Sequence, residues 1–499
     1  MTNLLVVTAL RAEYVALSGR VSGATLARCG MGPDRVRAWL PQLDVLAPDA
    51  IVVAGVAGGL DPTLRPGDVV VATEVRDAHG RIVQHAAAPL VAELRRMGLR
   101  VRTGPMHSCD HVVGGASERA LLAATGAVAV DMESAAIVRA AGTTPTAVVR
   151  VIVDTAYSPV ARLATVPAGA RALITLNKIG PALRHWADLV GPRRVLLAAP
   201  RSFCAGVERA IDIVELALQR YPRPVYVRRQ IVHNAHVVDD LQRQGAVFVD
   251  ELDQVPDGTT VVFSAHGVAP AVRQEATRRG LNVIDATCPL VAKVHSEARR
   301  FTARGDTVVL IGHAGHDEVE GTLGEAPGRI VLVQNAADAE RVGADDSDHV
   351  AFLMQTTLAV DDAVETVEVL RRRFPRIESS ATDDICYATT NRQQAVRAIA
   401  AESDVMLVLG SPNSSNSVRL VEVAERCGVT AHLVDDATGI VPEWLTGAST
   451  IGITAGASAP PHLVDEVIAT LRALGDVDMI ERAVAAEDVT FSLPKGVAG

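Results

Sequence analysis

The chain has 499 residues, 48% of them hydrophobic, and a net charge of −10. That length provides for two to four domains, and the acidic balance excludes nucleic acid as a main partner. No apolar run reaches the roughly 18 residues that span a bilayer, so no transmembrane segment is expected.

The six cysteines lack the tight spacing of a disulfide scaffold, which indicates a reducing compartment. The N-terminal MTNLLVVTALRAE has no basic n-region and no cleavage pattern. The expected localisation is cytoplasmic.

Leu4 to Val7 reads as a buried strand, followed by a helix from about Arg11. Ala50 to Ala54 is a second strand running into the glycine-rich turn GVAGG, and Asp68 to Val75 is a third. Glycines behind a parallel strand let backbone approach a ligand closely, although they also simply make turns. A strand at Ala127 to Val130, a helix in DMESAAIVRAA and a strand from Ala147 to Val153, ending in Asp154, continue the alternation. The fold class is therefore α/β. Residues 165–189 read as a closing helix and Gly191 to Arg194 as a linker. This predicts domains at 1–190 and 194–480, with a C-terminal tail at 481–499.

TALRAEYVAL, CGMGPDRV, GVAGGLDPTLRPGDVV, HSCDHVV, VDMESAA and RVIVDTA, between Leu4 and Pro159, carry a resemblance. The region resembles the purine nucleoside phosphorylase and nucleosidase superfamily, in its methylthioadenosine/S-adenosylhomocysteine nucleosidase-like branch. The resemblance implies that Glu13 orients an attacking water, Glu133 holds the ribose hydroxyls and Asp154 protonates N7 of a leaving purine. A purine leaves poorly until protonated, and positive charge develops on the ribose beside the carboxylates. On residue type alone a solvated surface charge is the better reading of each acid, but Asp154 ends an apolar strand and Glu133 begins a helix, which favours a site. Val153 stands where the family has serine, and Val112 where it has an aromatic against the base. The hopanoid-associated group is the nearest branch, and it implies adenosylhopane as substrate. Water is expected over phosphate, because a carboxylate beside bound phosphate repels it; Arg35 is the nearby cation that argues the other way.

A new strand begins at Val195. Three cysteines then occur far apart: Cys204 in RSFCAGVERA, Cys288 in DATCPLVAKVH and Cys386 in DDICYATTNRQ. Each stands at a loop or helix start, where a thiolate is favoured. Three lone thiols read either as buried core groups or as ligands of an iron–sulfur cluster, which four thiolates usually hold. Three ligands would leave one iron open to substrate.

The neighbourhood of these cysteines decides between the two. FCAGVERA, IVHNAHVV, FSAHGV, DATCPLVAKVH, IGHAGHDEVEGT, QTTLAVDD, DDICYATTNRQ, GSPNSSNS and TAGASAP follow in order. From about Arg194 to Leu474 the chain resembles the 4-hydroxy-3-methylbut-2-enyl diphosphate reductase family, the last step of the methylerythritol phosphate route to isoprenoids. The resemblance implies a trefoil of three α/β units around one 4Fe–4S cluster on Cys204, Cys288 and Cys386, with the fourth iron open. His233, His266, Ser414, Ser415, Asn416 and Ser458 are implied to bind the diphosphate. His316 and Thr356 face the substrate, and Glu318 is the proton source. His313 stands in a similar polar turn and reads as part of the same pocket. The implied products are isopentenyl and dimethylallyl diphosphate, with electrons from a ferredoxin or flavodoxin, because no complete flavin or nicotinamide motif is present. Cys29, Cys109 and Cys427 match no motif and read as structural.

Two readings of the whole remain open at this point. In one both halves are active. In the other the N-terminal half is a silent ligand-sensing or assembly module, which Val112 and Val153 favour.

Overall fold

The computed structural model describes residues 2–155, 165–344, 346–494 and 496–497. The end of the nucleosidase-like stretch, to Pro159, lies outside the described residues. Two compact units result. One comprises Met1–Val195 with Asp435–Ile451 and Asp465–Met479; the other comprises Leu196–Val434, Gly452–Val464 and Ile480–Gly499.

Among the described residues the first strands of the chain are β1 Leu4–Thr8, β2 Ala24–Arg28, β3 Ala50–Gly59, β4 Val69–Asp77, β5 Gly80–Val83, β6 Val101–Ser108, β7 Ala129–Asp131 and β8 Thr146–Asp154. They form one mixed sheet in the order β2-β1-β3-β7-β6-β4-β5, with β8 paired to both β3 and β4. Strands β1, β3 and β8 are apolar runs buried on both faces, as parallel strands covered on each side must be. The expected turn at GVAGG is instead the end of β3. The ladder to β8 shifts register between Ala57 and Gly58, and a bulge of this kind re-aims a strand end. Gly55 is required there: a Cβ on it would lie 2.5 Å from Nη1 of Arg150 and 2.6 Å from Oε1 of Glu13. The closing helix is two helices, Thr165–Lys178 and Gly180–Ala187.

The strands from Arg193 onward repeat one pattern. Their first sheet has the spatial order Ala246–Val249, Val225–Arg228, Thr260–Phe263, Asn282–Asp285, all parallel. The second has the order Ile330–Val333, Thr307–Ile311, Val350–Met354, Glu378–Ser379, also parallel. The third runs Thr430–Val434, Val405–Leu409, Thr450–Ala455, Arg193–Ala199, Val477–Ala483. In each sheet the strand in fourth place leads to a cysteine. Arg193–Ala199 comes first in the chain among the strands of these three sheets, yet it fills the fourth place of the last sheet. The trefoil is thus cyclically permuted.

Candidate active site

Each cysteine caps a helix: Cys204 before Ala205–Arg220, Cys288 before Pro289–Arg304 and Cys386 before Tyr387–Ala400. Each is held from the neighbouring loop in the same way. The N–H of Cys288 donates to the carbonyl of Ala265 at 2.9 Å, that of Cys386 to Thr356 at 3.1 Å and that of Cys204 to Ala457 at 3.3 Å. Ala265, Thr356 and Ala457 each stand two residues beyond the third strand of a sheet. The fifth residue beyond each opening strand is His233, His316 or Ser414. A threefold backbone therefore presents different side chains to one centre.

At that centre lies a cavity of about 100 Å³. It is lined by the three cysteines with His233, His266, His316, Glu318, Thr356, Ser414, Ser415, Asn416, Ser458 and Phe491. All the second-half site residues expected from the sequence therefore meet, except His313. Its ring faces Oε1 of Gln355 at 3.3 Å and lines a different cavity, with Asp362 and Arg419.

The three thiols are free and show no disulfide. Burial pushes the Cys288 thiol up to about 12 and the Cys386 thiol to about 11. Desolvation outweighs the helix N-terminus at these two positions, so without a metal both stay protonated. Gly206 makes room for them: a Cβ there would meet Sγ of Cys288 at 2.7 Å and Sγ of Cys204 at 3.9 Å. Soft donors converging on a space cleared by a glycine fit a thiolate-bound cluster.

Glu318 is 2% exposed, in the first turn of Asp317–Leu323. Its Oε1 accepts from the Thr356 N–H at 2.7 Å, and its Oε2 lies 2.9 Å from the Thr356 hydroxyl. Burial raises its pKa to about 7 against these bonds. His316 caps the same helix: its Nδ1 accepts from the N–H of Glu318 at 3.2 Å, which leaves the ring proton on Nε2.

The His233 and His266 rings stack with centroids 4.0 Å apart, and His316 meets both edge-on. Burial, and for His266 and His316 also the neighbouring imidazoles, lower all three pKa values, that of His316 to about 4. Nε2 of His233 and Nδ1 of His266 are buried without a hydrogen-bond partner. Buried polar atoms left unpaired in this way point to a missing ligand. Opposite them, Ser414 caps Ser415–Arg426 and its Oγ lies 3.2 Å from Oγ of Ser458. Asn416 is fixed by the Ala457 N–H at 2.8 Å. Neutral donors at a helix N-terminus are suited to an anion.

The first unit brings Glu13, Glu133 and Asp154 to one cavity, with Val112, Arg119 and Val153 on its walls. All three acids are buried. Glu13 accepts from the N–H groups of Ala9, Leu10 and Val56 at 2.7–2.9 Å. Glu133 accepts from Gly32 at 3.0 Å and lies 3.7 Å from the buried Arg150, which also pairs with Asp131 at 2.6 Å. Asp154 is ion-paired with Arg119, and each side chain is 2% exposed. Burial raises the Asp154 pKa and the guanidinium pulls it back only in part. Arg35 is exposed and does not line this cavity.

The sequence reading missed Arg119 and Phe491. Arg119 has no local signature. Phe491 is an isolated aromatic in a polar stretch of a chain with only 3% aromatics, which is the signal that could have marked it. The stretch expected as a tail supplies strand residues 481–483 as well as this side chain.

Residues 7–176 match the Phosphorylase superfamily and residues 195–472 the LytB protein family. The 4-hydroxy-3-methylbut-2-enyl diphosphate reductase 1 of Mycobacterium tuberculosis is 56% identical over 323 residues, which is 64% of this chain and 98% of that protein. The reductase of an Azoarcus species is 58% identical over 301 residues, 60% of this chain and 96% of its own. Among solved structures, the E-1-hydroxy-2-methyl-but-2-enyl-4-diphosphate reductase from Plasmodium falciparum superposes with a TM-score of 0.59 at 35% identity. It covers 62% of this chain and 97% of its own. No helix among the described residues is long and apolar enough to cross a membrane. With the LytB match spanning more than half of its length, the chain belongs to the LytB family of 4-hydroxy-3-methylbut-2-enyl diphosphate reductases, and carries a phosphorylase-superfamily domain ahead of it.

Proposed function

We propose that the cysteine-lined cavity reduces 4-hydroxy-3-methylbut-2-enyl diphosphate to isopentenyl and dimethylallyl diphosphate. The observation that carries this is the meeting of three thiols, a buried carboxylic acid, two histidine nitrogens without a hydrogen-bond partner and a group of serine hydroxyls in one cavity. The family uses an iron–sulfur cluster, and Cys204, Cys288 and Cys386 would hold a single 4Fe–4S cluster with one iron left open. When bound, it supplies electrons and a Lewis-acid position for the allylic oxygen.

The chain's own residues do the rest. His233, His266, Ser414, Ser415, Asn416 and Ser458 hold the diphosphate and fix the allylic end toward the thiols. Glu318, neutral up to about pH 7, provides the proton with which hydroxide leaves as water. The hydroxyl of Thr356, 2.9 Å from the carboxyl, passes it on, while Nε2–H of His316 faces the substrate. Electrons arrive from an external ferredoxin or flavodoxin. The activity resides in residues 194–480 together with Phe491, which lines the cavity. Anaerobic reconstitution with iron and sulfide, followed by product analysis with a reduced one-electron donor, tests this. A loaded, reduced protein that forms neither product would refute it.

For residues 1–190 we infer cleavage of a purine nucleoside, with adenosylhopane as candidate. Glu13 orients water, Glu133 holds the ribose and Asp154 protonates N7. Water is favoured because Glu13 lines the cavity and would repel a bound phosphate, while Arg35 stays outside it and the guanidinium on its wall, Arg119, is paired with Asp154. The Arg119–Asp154 ion pair is what favours the competing reading of a silent module, since a carboxylate engaged by a guanidinium gives up a proton donor. Purine release by the full chain, with and without phosphate, separates the two.

A further inference from the structure

Two arginines behind the cavity each tie one cysteine loop to another. Arg209, on the helix capped by Cys204, donates from Nη1 to the carbonyls of Ala286 and Thr287, both at 3.2 Å. These are the two residues before Cys288. Arg392, on the helix capped by Cys386, is completely buried. It donates to the carbonyl of Ser202 at 3.1 and 2.7 Å and to that of Phe203 at 3.1 Å. These are the two residues before Cys204. The three cysteine loops are thus joined in series by two guanidiniums.

Both guanidiniums then turn to the C-terminal stretch. Nε of Arg209 donates to the Ser492 carbonyl at 2.8 Å. Nη1 of Arg392 donates to Glu487 at 3.0 and 3.2 Å, and Asn391 reaches the same carboxylate at 3.0 Å. Glu487 is the ion-pair partner of a guanidinium with no exposure of its own. Between these two anchors Phe491 enters the cavity lining. Beyond them, Tyr221 donates to the Gly496 carbonyl at 2.8 Å and Val497 is buried in the core that includes Ile284 and Ala286. The stretch is held at four points, which is more than a loose end would need.

We propose that residues 487–492 form a clasp for the metal centre. Glu487 and Ser492 lock Arg392 and Arg209 in the orientation that spaces the three cysteines, and Phe491 closes the cavity against water and chelators. Glu487 and Phe491 are positioning residues: they act on the cluster through the arginines and through exclusion of solvent. The inference rests on the cluster reading given above.

The test uses the full chain, reconstituted anaerobically, as wild type, Phe491→Ala, Phe491→Leu and Glu487→Gln. Iron and sulfide per chain, the rate of bleaching by a chelator, the cluster's electron paramagnetic resonance signature and the melting temperature of each apo-protein are measured. Loss of a supporting residue around a metal site typically costs about 10- to 100-fold in affinity. Phe491→Ala is expected to load normally, keep the wild-type apo melting temperature and bleach at least about tenfold faster. Phe491→Leu, still apolar, restores slow bleaching. Glu487→Gln lowers the iron content and alters the resonance signature. Wild-type bleaching rates in Phe491→Ala overturn the clasp whether or not Glu487→Gln folds. A wild-type protein that takes up no iron would instead refute the cluster reading, and the clasp with it.

Discussion

Glu318 and Thr356 are joined twice, by a 2.7 Å bond from the backbone N–H and by a 2.9 Å contact to the hydroxyl. The carboxyl cannot rotate away from the cavity, and in this buried setting its pKa rises to about 7. A raised value means that folding favours the neutral acid. The stability it contributes is present below the ordinary glutamate range and is lost as pH rises through about 7. The proton available for catalysis disappears over the same upper limb. Reductase turnover should fall above about pH 7 in wild type, and Glu318→Gln should lose about 100- to 10,000-fold in turnover while keeping its iron. Steady-state pH profiles with iron analysis check both.

Replacing Cys204, Cys288 or Cys386 by serine should abolish the cluster and with it reductase activity. Cys427→Ser should change neither, because Cys427 is exposed and lies outside the cavity. Iron content and the visible spectrum under anaerobic conditions decide this. A fully loaded Cys288→Ser protein would remove the ligand assignment.

The stacked histidines are neutral in the free protein because they are buried. A diphosphate placed against them favours the imidazolium forms. Binding should therefore take up protons, and affinity should weaken as pH rises through neutrality. Calorimetry of inorganic diphosphate binding in two buffers of different ionisation enthalpy measures the uptake directly. Proton release, or none, would contradict this placement.

The Arg119–Asp154 pair is buried on both sides. Removing one member of such a pair typically costs about 3–5 kcal/mol, because the remaining charge is left unpaired. Arg119→Met alone should lower the stability of the first unit more than Arg119→Met with Asp154→Asn does, as read by denaturant unfolding. Asp154→Asn should abolish any purine release and leave reductase activity unchanged. Retained release in Asp154→Asn would take the proton-donor role away from Asp154.

The apolar strands and all three cysteine-capped helices were legible in the sequence, because burial on both faces and the strand-to-helix switch leave local patterns. So was the grouping of the motif residues, which the structure brings to one cavity. The threefold architecture was not. Equivalent backbone positions carry His233, His316 and Ser414, which share geometry and not residue type, and one strand of the last sheet lies at the front of the second half. His313 was misplaced for a related reason: it stands only three residues before His316, yet the turn sends it to the far side of Gln355. Arg119, Arg209, Arg392 and Phe491 act across long sequence separations, where composition and periodicity carry no signal.

The cyclic permutation also sets an order for biosynthesis. Arg193–Ala199 leaves the ribosome about 250 residues before its sheet neighbour Thr450–Ala455, an interval of roughly 12 to 50 seconds at ordinary elongation rates. During that time an apolar strand waits with open edges, the condition under which chains pair wrongly and recruit chaperones. The loop bearing Cys204 lacks one of its anchors for as long, since the carbonyl that accepts from the Cys204 N–H belongs to Ala457. Metal delivery must therefore follow translation, and ribosome-stalled chains ending before about residue 450 should acquire no iron.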